Sequence, residues 1–178
     1  MMPFTARTAY RVRQGVQALS AFARSPDYAL AERYLSPRLL DLFRTMRRNE
    51  QLHSLNVLRA LLRDGATPPA LGVAALLHDC GKTRYPLAVW QKTFAVIVRA
   101  FRPRLFQRLS DGDPRHPVIR PFVVYVHHPD WSADMMQAAG ADPDAVWLAA
   151  HHQENRTGWQ NHELFPLLER LQQADDTN

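Results

Sequence analysis

The run Ala74-Ala75-Leu76-Leu77-His78-Asp79-Cys80-Gly81-Lys82 decides how the rest of this chain is read. Alanine and leucine favour helical backbone, and Thr67-Pro68 upstream supplies an N-cap and first-turn pair. The spacing predicts a helix running to about Asp79, with Gly81 at its end. That helix buries Leu76 and Leu77, yet it closes on an imidazole beside a carboxylate. A carboxylate drawn into an apolar interior needs a partner, and a metal ion supplies one.

Outward from this run, apolar residues recur at three- and four-residue spacing, and no alternating strand pattern lasts long enough to compete. Helices are expected over 8–23 and 27–34, the second started by Ser25-Pro26-Asp27. Ser36-Pro37 opens another, which either runs on through Met46 and Leu62 or breaks near Asn49; Leu52, Leu55, Leu58 and Leu62 form its apolar stripe and Gly65 ends it. Asp142-Pro143-Asp144 starts a helix leading into His151 and His152, and Leu164 to about Ala174 forms the last. Pro103, Pro114, Pro117, Pro121 and Pro129 punctuate the middle. The expected fold is all-α, a single helical bundle with residues 1–45 as a helical extension packed on a core of 46–178.

The chain has 178 residues, a single cysteine and 46% hydrophobic residues. That length supports one core, and one cysteine excludes a disulfide framework or a four-thiolate zinc site. No apolar run approaches the ~18 residues of a membrane span, so a cytoplasmic setting is expected. The net charge of +5 conceals an asymmetry: 18 basic and 6 acidic residues over 1–110, but 4 and 11 over 111–178. A uniformly basic nucleic-acid binder would not look like this.

Histidine placement carries the chemistry. His53 lies within a helix, His78-Asp79 closes the next, and His127-His128-Pro129 and His151-His152-Gln153-Glu154 follow. A lone helical histidine is usually an ordinary core or surface residue. Several of them, with carboxylates, suit a first-row divalent metal. Two such ions ~3.5–4 Å apart can clamp a phosphate. There is no His-Glu-x-x-His, Gly-rich phosphate loop or Gly-x-Ser-x-Gly elbow, so a Ser or Cys nucleophile has no support, and Cys80 reads as a small packing residue.

The order His53, His78-Asp79-x-Gly81-Lys82 and a distal Asp175 resembles the HD superfamily of metal-dependent phosphohydrolases. His128-Pro129, the His151-His152 run and Ala174-Asp175 resemble its HD-GYP branch, which cleaves cyclic dinucleotides. The Gly-Tyr-Pro signature itself is replaced by Arg156-Thr157-Gly158-Trp159-Gln160. The resemblance, over roughly 50–176, implies an all-α fold and a dinuclear site. His53, His78, Asp79 and Asp175 would hold the first ion, with Asp79 bridging. His128, favoured over His127 by the following proline, would complete the second with one or both of His151 and His152. Asp79 and Lys82 would be catalytic, Lys82 touching a phosphate oxygen. Iron or manganese is expected first, zinc or nickel next. Asn49, four residues before His53, predicts no third ion.

The expected activity is hydrolysis of a phosphomonoester or phosphodiester, that of a nucleotide first, by hydroxide activated at the metal. The alternatives are a non-catalytic sensor of metal and nucleotide, and a di-iron oxygenase of the same fold.

From Lys82 to Ser110 stand seven basic residues and no acidic one, interleaved with Tyr85, Trp90, Phe94, Phe101 and Phe106. This reads as a core-packing helix with a solvated basic face, as a peripheral contact with anionic membrane, or as the rim of a substrate pocket. Double-stranded nucleic acid is not expected, since no recognition module accompanies the patch.

Overall fold

A computed structural model describes residues 25–178; the helix expected over 8–23 lies outside them. The described residues are helical without a strand, as an all-α reading requires. In chain order the helices are α1 (Tyr28–Glu32), α2 (Pro37–Thr45), α3 (Arg48–Asp64), α4 (Pro69–Leu77), α5 (Val89–Phe101), α6 (Pro103–Ser110), α7 (Arg120–Ala138), α8 (Pro143–His151) and α9 (Phe165–Thr177). Short 3-10 turns occupy Cys80–Arg84 and Arg156–Gly158.

The local signals act where chemistry puts them. Asp142 caps α8 by accepting from the Asp144 amide at 2.9 Å, with Pro143 at the first position. Gly65 closes α3 at φ 150°, a conformation that side chains rarely adopt. Between α2 and α3 the chain breaks at Met46 and Arg47, both extended, so the first of the two expected courses does not occur. The stripe on α3 is also shifted: Leu55, Leu58 and Leu61 are buried, whereas Leu62 is 37% exposed. A further break at Arg102-Pro103 divides the basic segment into two helices.

The main core gathers Leu39, Phe43, Leu55, Leu58, Leu76, Leu148 and Leu171 with their neighbours, so α2 shares it with α3, α4, α8 and α9. Helix α7 packs along α8 and the first 3-10 turn, and α9 lies on α3, α4 and α8. A smaller core of Ala95, Val98, Phe106 and Phe122 joins α5 and α6 to α7. Two polar ties hold α5 in place: Lys92 pairs with the buried Glu50 at 3.2 Å, and the Gln91 side chain bonds the Ala88 amide and the Pro117 carbonyl.

Candidate metal centre

Helix α4 ends earlier than its composition suggests. The last helical residue is Leu77, His78 is the C-cap, and Asp79 turns aside at φ −102°, ψ 1°. That sparsely populated backbone region is common at active sites. The turn is forced by a close approach, because Gly81 lies against α7 and its amide donates to Ser132 Oγ at 2.8 Å. A Cβ at this position would collide with the backbone of His128 and Ser132. The glycine therefore carries Asp79 under α7 rather than along the axis of α4.

Asp79 is the hub. Its Oδ2 lies 3.6 Å from His78 Nε2 and 4.0 Å from His53 Nε2, while its Oδ1 lies 3.2 Å from His128 Nε2 and 3.8 Å from His152 Nε2. Asp175 enters from α9, with Oδ1 2.8 Å from His53 Nε2 and 3.5 Å from His78 Nε2. Three overlapping groups result, each with ligand atoms within 4.8 Å of one another: His53, His78, Asp79; His78, His152, Asp175; and Asp79, His128, His152. Donors each ~2.1 Å from a shared ion stand about 3–4 Å apart, which matches these separations.

Each imidazole is oriented by its own helix. Nδ1 of His78 donates to the Ala75 carbonyl at 3.1 Å, and Nδ1 of His152 to that of Ala149 at 2.7 Å. His128 uses Val124 at 2.9 Å and Tyr125 at 3.1 Å. The second of these carbonyls is freed by Pro129, which has no amide to offer it. A ring nitrogen beside a carbonyl oxygen must carry a proton, so in the neutral ring Nε2 is left as a bare lone pair, the form a metal ligand requires. Those three Nε2 atoms and Asp79 Oδ1 are buried without a hydrogen-bond partner among the described residues. Buried polar atoms in folded proteins are almost always paired, and each orphan costs about 1–3 kcal/mol. Four of them converging on one point describe a site whose donors fit a divalent metal ion.

Family models, curated proteins and solved structures offer no match to the chain. The reading of the site therefore rests on its own geometry.

The electrostatics agree with a cation site. Burial opposes ionisation of Asp79, but Lys82 and then His78 outweigh it and hold the carboxyl well below its ordinary range. Asp175 is lowered too, its burial overcome by the hydrogen bond from His53 and by the nearby His78. Burial would lower His78, yet Asp79 and Asp175 raise it above the usual imidazole value. Burial and the charge of His78 push His152 down to about 3, and burial lowers His128. Without metal, a proton on His78 facing Asp175 is the nearest substitute for an ion; metal binding would release it.

The structure thus brings together His53, His78, Asp79, His128, His152 and Asp175. It does not bring in His151. Neighbouring helical residues point about 100° apart, so the two members of a doublet cannot face one point. His151 Nδ1 bonds the Trp147 carbonyl at 2.7 Å, and its ring stacks on Trp147 and meets Trp159 edge-on. His127 is likewise turned away, towards Ser110. Lys82 is also differently engaged from the expected phosphate contact: its Nζ lies 2.6 Å from Asp79 Oδ2. Asp175 sits in a helix that continues to Thr177 and is tied at its end by Asn178 Nδ2 donating to the Ala174 carbonyl. Cys80 is buried, and burial pushes its thiol up to about 12, so it is no nucleophile at neutral pH.

Clefts among the described residues reach the cluster. One of about 560 Å³ opens over His152 and Asp175 and is bordered by Arg99, Tyr125, Gln153 and Arg156. Another, about 180 Å³, reaches Lys82 and His128 between Lys92, Val96 and Tyr125. Neither Tyr125, which borders both clefts, nor Ser132, which holds the Gly81 amide, belongs to a motif of the sequence, whereas Arg99 comes from the basic run, one reading of which is a pocket rim.

Proposed function

We propose that this chain is a metal-dependent phosphohydrolase of the HD superfamily, acting on a phosphomonoester or phosphodiester of a nucleotide. The observation that supports it best is the set of four buried, unpaired donor atoms around Asp79. In this reading His53, His78, Asp79 Oδ2 and Asp175 hold one ion, and Asp79 Oδ1, His128 and His152 hold a second. Iron or manganese suits that donor set, with zinc or nickel next. Such ions acidify coordinated water and neutralise phosphate charge.

The protein's own part is positional. The helix carbonyls fix the tautomer and direction of each imidazole, and burial keeps bulk water from competing. Lys82 balances Asp79 at the inner end of the smaller cleft. Arg99, stacked over Tyr125 at 4.8 Å, gives the larger cleft a cation suited to an anionic ester.

The test is metal analysis of protein purified without chelator, beside hydrolysis of p-nitrophenyl phosphate and its bis-ester with added Mn²⁺ or Fe²⁺. About two equivalents of metal per chain and phosphate release are expected, both lost in Asp79→Ala. Full activity in Asp79→Ala or His78→Ala would overturn the assignment. Metal without turnover would point to a sensor, and oxygen consumption without phosphate release to an oxygenase.

A second reading has the 2.6 Å contact between Lys82 and Asp79 in its favour. Lys82 would then be the resident cation of a purely structural network, and no metal would load even on reconstitution.

A further inference from the structure

We propose that the face formed by α5 and the start of α6 docks on an anionic lipid surface. This inference is independent of the catalytic reading. Trp90, Phe94, Ile97 and Phe101 follow one another at four-, three- and four-residue steps, so they form one stripe along α5. Phe94, 38% exposed, also leans edge-on against the buried Phe122, while the core-facing side of the helix is Gln91, Ala95 and Val98. Phe101 is 78% exposed, Trp90 57%, Ile97 51% and Leu105, just beyond, 46%. Large apolar side chains scattered singly on a surface need no explanation, but a continuous row of them marks a contact site.

Charge selects the occupant. Residues 80–110 contain no Asp or Glu. Arg102, Arg104 and Arg108 continue from the end of the stripe, all exposed and without an acidic partner among the described residues. A second copy offering the same face would bring like charges together. Residues 1–24 carry Arg7, Arg11, Arg13 and Arg24 and no acidic residue, so they are poorly matched to it as well. Tryptophan and phenylalanine flanked by arginine, on a helix lying along its support, are the features of an interfacial helix at anionic headgroups. No helix of the described residues is long and apolar enough to cross a membrane, so the contact would be peripheral. The adjoining side of α5 supplies Lys92, Val96 and Arg99 to the two clefts. Docking would therefore bring the helix that walls both clefts to the lipid surface.

The experiment is sedimentation of the full chain with vesicles of phosphatidylcholine, alone or mixed equally with phosphatidylglycerol. Binding to the mixed vesicles should exceed that to the neutral ones at least about tenfold, and should weaken with added salt. Arg102→Gln with Arg104→Gln should lower it about thirty-fold, the value for two cationic side chains at such a surface. Trp90→Ser with Phe101→Ser should abolish it while leaving the circular dichroism spectrum unchanged. Equal binding to both vesicles, or undiminished binding by either double variant, would overturn the proposal. So would a wild-type dimer that the Trp90/Phe101 variant makes monomeric, because a second copy would then cover the face.

Discussion

Lys82 Nζ stands 2.6 Å from Asp79 Oδ2, while Asp79 Oδ1 has no hydrogen-bond donor among the described residues. The carboxylate is therefore compensated on one oxygen and open on the other. Removing the ammonium leaves a buried charge uncovered. Lys82→Met should cost the metal-free protein about 2–3 kcal/mol, less than the 3–5 typical of a fully buried pair because the lysine is partly exposed. Added Mn²⁺ should restore most of that loss. Urea unfolding with chelator and with metal would check both halves, and an unchanged midpoint in chelator would refute the first.

Asp79 and His53 should differ in how much they remove. Asp79→Asn keeps the shape of the side chain but takes the anionic oxygen from both sets of donors, so metal content should fall to near zero. His53→Ala touches only the side shared with His78 and Asp175, and content should fall by about half on the two-ion reading. Elemental analysis of the two variants beside the wild type distinguishes them, and equal losses would argue for a single ion.

Acid should destabilise the metal-free protein in a definite window. His152 sits at about 3 in the fold, lowered by burial and then by His78, against a reference value of 6.5. Between those values the unfolded chain binds one more proton. Stability should then fall on acidification from pH 6.5, by up to about 1.4 kcal/mol per pH unit for that group. His128 is lowered as well and acts in the same direction. His78 is raised, so within this window it is protonated in both states and contributes no slope. Asp79 and Asp175, both lowered, lose their contribution only below about 4. Urea midpoints in chelator at about pH 6 and about pH 4.5, both inside the window, measure the effect, and His152→Gln should flatten it.

What the sequence disclosed follows from which features are local. Helix starts at Pro37 and Pro143 depend on neighbouring residues, and those signals were legible; α4 starts one residue later than Thr67-Pro68 implied, with Pro68 itself at the cap. His78-Asp79 stood out because an apolar helix ended in two polar groups, and Pro129 marked His128. Distant contacts were not legible. Nothing around Gly81 announces Ser132, 51 residues away, as the hydroxyl that bends Asp79 into the centre. His151 misled for a geometric reason: adjacency in sequence is not adjacency around a helix. The stripe on α3 slipped towards Leu62 because spacing alone does not say which side of a helix meets α4.

Gly81→Ala tests that bend. Its Cβ would stand 2.7 Å from the Ser132 amide nitrogen, and backbone cannot rotate away as a side chain would. Helix α7 must move, at a cost of about 1–3 kcal/mol by the measure of overpacked cores. Because His128 rides on α7, Mn²⁺ affinity should drop with stability. A variant of normal stability and normal affinity would show that the close approach is unimportant.

His53 and Asp175 lie 122 positions apart, yet they meet at 2.8 Å. The complete ring of donors needs α3, α4, α7, α8 and α9 all docked, so it belongs to the last event of folding rather than the first. Contacts absent from the transition state alter the rate of escape from the native state and leave the rate of reaching it unchanged. A loaded centre would then act as a latch fastened after the door has closed. It would lengthen the lifetime of the native state without hastening its arrival.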